Sequence, residues 1–361
     1  MKKLSARILA LVMVLALAFA GCGESSAPVA SSAPAQNAAS AAASDPASDV
    51  SAASLEQVTL RFALSNSADS VHGKNITKMI ENIEAARTNN ETGLEVVLYP
   101  NGQLGSVDEM LEQIMMGEDI ILSTDPGALK NWANELAILE APYFFENEQE
   151  PALVFQTDWF KDQLKTLEEN GIKVLSGEMI YGSRHIMATA PIRNPADMKG
   201  LKIRVPGNDL SVAMIEAMGG ISTPMALSEV YASIQQGVIN GMENPFATHI
   251  DNNMWEVCDY LSLDGHQITT SWYVMSADVF NKLASAEQDF LMKTAADAAD
   301  YFNSINSEAN EEALQTLKEK GVTVVDDVDI AAFKEATTSV YDKFGYSELR
   351  TKIYEQMDQF R

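Results

Sequence analysis

The spacing of apolar residues along the chain alternates between the period of a strand and the period of a helix. Leu60 and Phe62 lie two residues apart on one face of a predicted strand, whereas Ile76, Ile80 and Ile83 follow at the helical spacings of four and three. The same test predicts further strands at residues 94–99, 119–124, 172–176, 184–189, 201–205, 237–242 and 268–275.

Helical spacing recurs between these strands and dominates the last third of the chain. Ser285 and Gln288 have the spacing of a capping box at the start of a long tract that ends before Gly321. A last strand is predicted in "VTVVDDV", followed by two helical stretches. Alternating strands and helices predict an α/β architecture with mixed or mostly parallel sheets. Helices are predicted around 110–114 and at 148–169, 209–218, 228–236, 245–257 and 286–319.

The first residues have the composition of a secretory signal. Three basic residues lie within the first seven, and Ile8–Ala20 is an unbroken apolar run, short for a membrane span but typical of a signal peptide. The run ends in "FAGC", which resembles the lipobox of bacterial lipoproteins. We therefore predict a signal peptide at residues 1–21 and a lipid on Cys22; the alternative is ordinary signal cleavage with an incidental cysteine.

Residues 22–55 comprise Cys22 and a stretch made almost entirely of Ala, Ser and Pro. Such a composition has too few apolar side chains to bury a core, so a disordered tether is expected. With a lipid on Cys22, the protein is predicted to be extracytoplasmic and anchored to the outer face of the cytoplasmic membrane. Cys258 is the only other cysteine, so the folded part must be stable without an internal disulfide.

The chain is strongly acidic. Removal of residues 1–21 takes away three positive charges and no negative charge, so the formal net charge falls from −26 to −29. This argues against a nucleic-acid partner, because binding to phosphates needs positive charge. An anionic ligand would need a local concentration of positive charge at its site.

Catalytic and cofactor motifs are missing from the sequence. It contains no GxGxxG, P-loop, HExxH, GxSxG or CxxC pattern, and its four histidines have no metal-ligand spacing. We therefore expect no catalytic residues, no metal and no cofactor. A secreted enzyme is the least supported class, since no nucleophile and base can be named.

Two arginines stand in apolar surroundings at the ends of predicted strands. Arg184 begins the strand in "YGSRHIMAT", and Arg204 follows Ile203 in "GLKIRVPGN", just before a Pro-Gly turn. A buried arginine needs a carboxylate partner, which either the protein or a ligand can supply. The planar guanidinium suits two-pronged recognition of a carboxylate. For each arginine taken alone, a structural ion pair and a ligand contact both remain open.

Three longer segments carry a family resemblance. "LYPNGQLG", "NPADMKGLKIRVPGN" and "STPMALSEVYASIQQGVINGMENP" resemble the solute-binding proteins of TRAP transporters, the DctP-like family, and the similarity extends from about Val58 to the C-terminus. The resemblance implies a two-lobed clamshell like that of periplasmic binding proteins, with mixed sheets and a long helix spanning both lobes. It also implies a small organic acid as ligand, a C4-dicarboxylate or a sugar acid, delivered to the membrane subunits of a TRAP permease.

The resemblance also assigns roles to individual residues. Arg204 matches the family's carboxylate-binding arginine, Arg184 the second arginine of the site, and Asn244 an asparagine that reaches the same carboxylate. Polar ligand contacts are implied just after the first strand, at Ser65 or Asn66. Leu227 stands where members that bind large sugar acids often have Phe, which leaves the size of the acid open.

Four further residues stay undecided at this level. The segment "GEDIILSTDPG" is shifted against the family pattern, so a ligand contact by Thr124 or Asp125 is not assigned. Trp272 and Tyr273 are equally consistent with the cleft lining and with core packing.

The predicted organisation has two lobes and a monomeric body. Lobe I comprises residues 56–181 and 270–309, and lobe II comprises residues 182–269 and 310–361. Two uses of this fold stay open: a transporter receptor, and a ligand-sensing subunit that reports to a signalling partner.

Overall fold

A computed structural model describes residues 55–361. The predicted signal peptide, Cys22 and nearly all of the predicted tether therefore lie outside the described residues. Within the described range, no helix combines the length and the apolar character that crossing a membrane requires.

Residues 55–361 contain nine strands, which join in a single sheet. The order across the sheet is β2-β1-β3-β8-β4-β7-β5-β6, and β9 pairs with β8. The strands are β1 (Val58–Ala63), β2 (Leu94–Tyr99), β3 (Ile120–Thr124), β4 (Ile172–Ala188), β5 (Lys202–Val205), β6 (Ile221–Pro224), β7 (Gly241–Asn244), β8 (Tyr260–Ser276) and β9 (Thr323–Val325).

The sheet consists of two parallel halves joined by an antiparallel centre. On one side β1 pairs in parallel with β2 and β3, and on the other side β5 pairs in parallel with β6 and β7. Between them β4 and β8 run antiparallel to each other; β8 pairs with β3, and β4 pairs with β7. Each half is thus an α/β unit, and the two longest strands belong to both.

The two central strands are longer than the sequence pattern predicts. Segments 172–176 and 184–189 are parts of one 17-residue strand, β4, and segment 268–275 is the second half of β8. The pairing of β4 with β8 shifts register between Ile180 and Gly182 and again between Arg184 and Ile186. These irregularities bend the strands and interrupt the alternation of apolar and polar residues. For that reason a period-two pattern does not identify each as one continuous strand.

Helices cover both faces of the sheet. They are α1 (Val71–Thr88), α2 (Val107–Met115), α3 (Glu150–Val154), α4 (Asp158–Glu169), α5 (Asp209–Ala217), α6 (Val230–Gln235), α7 (Phe246–Asp251), α8 (Ala277–Lys282), α9 (Ser285–Glu319), α10 (Ile330–Phe344) and α11 (Ser347–Met357), with short 3₁₀ segments at Asn134–Glu140, Leu227–Glu229, Met254–Glu256 and Asp358–Phe360.

Two of the predicted helices are interrupted. The segment 148–169 forms α3 and α4, because the Thr157 hydroxyl accepts a hydrogen bond from the Phe160 N–H and starts a new helix. The segment 245–257 breaks at Asn253, whose φ of 53° is incompatible with a continuous right-handed helix. In the first case a side-chain cap, and in the second a backbone angle, overrides a continuous apolar pattern.

The start of the long helix and one strand were also predicted wrongly. Ser285 is already helical, and the Gln288 amide donates to the Leu283 carbonyl, so the predicted capping box is absent. The strand predicted at 237–242 begins only at Gly241, because Gly237 has a φ of 71° and ends α6. The edge strand β6 was not predicted.

Four apolar clusters hold this arrangement together, two on each half of the sheet. The long helix α9 contributes to both halves: Leu291 and Phe302 pack with α1 and β1, whereas Leu317 packs with α6 and β9. Helix α9 is therefore the long helix that spans both lobes, and the fold is the predicted two-lobed α/β architecture.

Candidate ligand-binding cleft

The carboxyl ends of the parallel strands converge on one cleft of about 710 Å³. Ser65 and Asn66 follow β1, Asp125 follows β3, Met225 follows β6, and Asn244 ends β7, and all of them line this cleft. In open α/β sheets the carboxyl ends of the strands are the usual ligand site, because loops and helix N-termini meet there.

Arg204 lies on β5 with its side chain in the cleft wall and only 6% exposed. Its Nε donates to the Met225 carbonyl at 3.0 Å. Within residues 55–361 it forms no salt bridge with a carboxylate. Burial is the main reason that the pKa of Arg204 is lowered to about 10, and attraction by Glu243 opposes only part of that effect. Arg204 is thus a buried cation without a protein counter-ion at contact distance.

Arg184 also lines the cleft, but it has such a partner. Its Nε lies 2.5 Å and its Nη2 lies 2.8 Å from the two carboxylate oxygens of Glu243. Burial works to lower the pKa of Arg184, yet Glu243 outweighs it and the pKa is raised. The two arginines, for which a structural ion pair and a ligand contact were both open, therefore differ. Arg184 forms a structural ion pair with Glu243, and Arg204 forms none within the described residues.

The pair formed by Arg184 and Glu243 continues into a buried chain of charges. His266 Nε2 lies 3.3 Å from a Glu243 oxygen, and His266 Nδ1 lies 2.6 Å from an Asp264 oxygen. Burial alone would lower the pKa of His266, but Asp264 and Glu243 raise it to about 9. Burial would raise the pKa of Glu243, but Arg184 and His266 lower it to about 2. The alternating charges compensate one another.

Two further carboxyl groups lie near these arginines, the half-buried Asp125 and the buried Glu140. Asp125 accepts a hydrogen bond from the Ala128 N–H, and burial raises its pKa against the attraction of Arg184. Glu140 accepts hydrogen bonds from Gln267 and Thr269, and burial raises its pKa well above the usual value. Neither acid forms a salt bridge with Arg204.

All six predicted ligand contacts line the same cleft: Arg204, Arg184, Asn244, Ser65, Asn66 and Leu227. The four undecided residues separate into two pairs. Thr124 and Asp125 line the cleft. Trp272 and Tyr273 are fully buried in the core, where the Trp272 N–H donates to Thr270 and the Tyr273 hydroxyl accepts from Asn75.

Several lining residues were not predicted. His72 and Tyr181 form part of one wall, Asp108 lies at the first turn of α2, and Thr269 to Ser271 supply hydroxyl groups from β8. The run "TTS" inside an apolar strand was the available indication, because buried hydroxyl groups need partners. The Thr124 hydroxyl and His72 Nδ1 are buried without any hydrogen-bond partner in the described chain.

A two-lobed α/β fold with a polar cleft between parallel half-sheets is the architecture of an extracytoplasmic solute-binding protein. The chain belongs to the family of bacterial extracellular solute-binding proteins, family 7 (DctP), whose model matches residues 62–348. The members of this family are binding proteins and not enzymes.

Relatives and solved structures agree with this assignment. The chain is 30% identical to the C4-dicarboxylate-binding periplasmic protein DctP of Rhodobacter capsulatus, over 80% of this chain and 86% of the relative. It is 29% identical to a solute-binding protein of Verminephrobacter eiseniae, over 81% and 87%. A TRAP periplasmic solute-binding protein of Actinobacillus succinogenes with bound L-galactonate has a TM-score of 0.80 and 31% identity, covering 84% of this chain and 100% of that one.

Proposed function

We propose that this protein is the receptor of a TRAP transporter that captures a small organic acid and delivers it to the membrane permease. The acid belongs to the classes bound by relatives, which include a C4-dicarboxylate-binding protein and proteins solved with L-galactonate and β-D-galacturonate. The named structural relatives are transporter receptors, so the sensing alternative is not favoured.

The observation that carries the proposal is the unpaired charge of Arg204. Burying a guanidinium without a carboxylate partner costs free energy. A ligand carboxylate would neutralise the charge and accept two parallel hydrogen bonds. Its Nε is held by the Met225 carbonyl, which fixes the plane of the group. Asn244, whose side chain makes no hydrogen bond within the described residues, is 5% exposed and supplies an amide in the same cleft.

Arg184 has an indirect role in this scheme. Glu243 accepts hydrogen bonds from Arg184 Nε and Nη2, so Arg184 stabilises the wall beside Arg204 and does not offer a ligand carboxylate a free pair of N–H donors. Ser65 and Asn66 supply further polar contacts from lobe I, and Leu227 provides an apolar surface from lobe II.

Capture requires the two lobes to close on the ligand. We place lobe I at residues 56–181 and 270–309 and lobe II at residues 182–269 and 310–361, so that β4 and β8 cross between them. The register shifts between Ile180 and Gly182 and between Arg184 and Ile186 fall beside these boundaries. A bulged strand pair is a suitable hinge, because it has fewer ladder hydrogen bonds to resist bending.

The receptor works at a membrane surface in this proposal. A lipid on Cys22 and the tether at 22–55 would keep a monomeric body near its permease at the outer face of the cytoplasmic membrane. The tether would raise the local concentration of the receptor without restricting its orientation.

A thermal-shift screen of organic acids against the purified protein tests the function. An acid at a hundred times its dissociation constant should add about 2.7 kcal/mol to the free energy of unfolding. The shift should disappear in the Arg204→Ala variant and persist in Arg193→Ala, which removes an exposed arginine paired with Asp327. If no acid stabilises the parent protein, or if Arg204→Ala responds as the parent does, the proposal is wrong.

A further inference from the structure

The cleft offers one positive charge for a ligand rather than two. Arg184 is neutralised by Glu243 at contact distance, whereas Arg204 has only a carbonyl partner within the described residues. Lys130, two residues after Ala128 of the lining, pairs with Asp209 and is not part of the cleft lining. A single carboxylate on the ligand is therefore sufficient to neutralise the unpaired charge of Arg204.

Four carboxylates also belong to the cleft lining. Asp108, Glu109, Asp125 and Glu229 line it, and the first two lie in the first turn of α2. Asp108 reaches the turn that follows Arg204, since its Oδ2 lies 2.8 Å from the position that a Cβ on Gly207 would occupy. It forms no salt bridge within residues 55–361. A second carboxylate on a short ligand would thus meet like charge close to the first.

Asp108 and Glu109 differ in how far they are committed to the protein. Glu109 accepts hydrogen bonds from the N–H and the hydroxyl of Ser106 in a capping box, and both bonds end on its Oε2. Asp108 is exposed to solvent and its carboxylate has no hydrogen-bond partner within the described residues; partial burial, together with the nearby Glu112 and Glu109, raises its pKa. Asp108 is therefore the acid of this turn with both carboxylate oxygens free for a ligand within the described residues.

The remaining lining combines apolar residues with neutral polar groups, and two of these polar groups lack hydrogen-bond partners within the described residues. Thr124 is 7% exposed with its hydroxyl unpaired, and His72 is 3% exposed with Nδ1 unpaired. Burial lowers the pKa of His72 to about 3, so its ring is neutral and offers one donor and one acceptor. Hydroxyl groups of a ligand can both donate and accept, and they complement carboxylates, threonine and neutral histidine equally well.

We propose that the cleft takes a monocarboxylate carrying several hydroxyl groups, and that Asp108 and Asp125 exclude acids with a second carboxylate. The inference rests on the proposed function and narrows it, because it chooses between the two acid classes that the sequence leaves open. The carboxylate lies on Arg204, and the hydroxyl groups meet Asp108, Asp125, Thr124 and His72.

Calorimetric titration of the full-length protein with acids of matched length tests this directly. Threonate, succinate and butyrate have four carbons each, and gluconate, adipate and hexanoate have six. At one of the two lengths the hydroxylated acid should bind at least about tenfold tighter than both of its partners, since like charge and unpaired buried groups each penalise the wrong ligand. If at both lengths the dicarboxylate or the unsubstituted acid binds as tightly as the hydroxylated acid, the inference is overturned.

Two variants then separate the role of Asp108 from general charge. Asp108→Asn should reduce the preference for the hydroxylated acid over the dicarboxylate at least threefold. Asp162→Asn removes the same charge from an exposed position on α4 that lies outside the cleft lining, and should leave the preference unchanged. Equal preferences in the parent and in Asp108→Asn contradict the assignment to Asp108; melting curves without ligand verify that both variants fold.

Failure of this inference is distinguishable from failure of the proposed function. If a different acid binds and Arg204→Ala abolishes its binding, the receptor function stands and the ligand class is wrong. If no acid of any class binds, the receptor function itself is wrong.

Discussion

Replacement of Arg204 tests the arrangement of charges in the cleft most directly. In Arg204→Ala a bound carboxylate would lose its only uncommitted cationic partner. Truncating one member of a buried charged pair typically costs about 2–5 kcal/mol, much of it from leaving the other charge unpaired. At a factor of ten per 1.4 kcal/mol, the affinity should fall roughly thirtyfold to several thousandfold.

The same variant should behave unusually in the absence of ligand. Arg204 has one hydrogen bond, to the Met225 carbonyl, and no counter-ion at contact distance, so its removal also relieves a desolvated charge. We expect Arg204→Met to lower the free energy of unfolding by no more than about 1 kcal/mol, the size of one hydrogen bond. Arg184→Met should lower it by about 3–5 kcal/mol, because Glu243 would remain buried and unpaired.

Isothermal titration with an acid from the screen and urea unfolding without ligand provide the two measurements. Arg204→Lys should recover little affinity, since an ammonium group cannot donate two parallel, coplanar hydrogen bonds to a carboxylate. Arg193→Met is the matched control for an exposed arginine and should change neither quantity by more than about 1 kcal/mol. Affinity of Arg204→Ala within threefold of the parent, or a stability loss as large as that of Arg184→Met, would refute the reasoning.

Four further predictions concern the charge chain, the anchor and the hinge. Glu243→Gln should lower the free energy of unfolding by about 3–5 kcal/mol in urea titrations, because Arg184 loses its counter-ion; a loss below 1 kcal/mol would contradict the pairing. The raised pKa of His266 stabilises the fold fully below pH 6.5, and this contribution disappears as the pH rises towards about 9. The stability difference between the parent and His266→Gln should shrink over that window, and a constant difference would contradict the shift. Cys22→Ser should release the protein from membranes; the anchor is wrong if the variant remains bound and mass spectrometry finds no acyl chain on the parent. Small-angle scattering should show a smaller radius of gyration with saturating ligand, and an unchanged radius would count against closure.

The sequence was sufficient for features that depend on near neighbours in the chain. Apolar residues with a period of two located β1, β2 and β3, and apolar residues with the helical period of about 3.6 located most of the helices. Both patterns arise because these elements bury one face of a regular local structure. The family resemblance then named six residues, and all six line one cleft. Local patterns failed at Thr157, Asn253 and Gly237, where one cap or one backbone angle ends an element.

The partners of the two arginines were decided only by the tertiary structure. The composition offers many acidic residues, and nothing in the local sequence of Arg184 or Arg204 indicates which of them has a counter-ion. Glu243 reaches Arg184 from 59 positions away because β7 pairs with β4, and it leaves Arg204 on the neighbouring strand unpaired. The interaction energy of two charges and the pKa of each group depend on their distance and burial in three dimensions. Local sequence patterns do not specify either quantity.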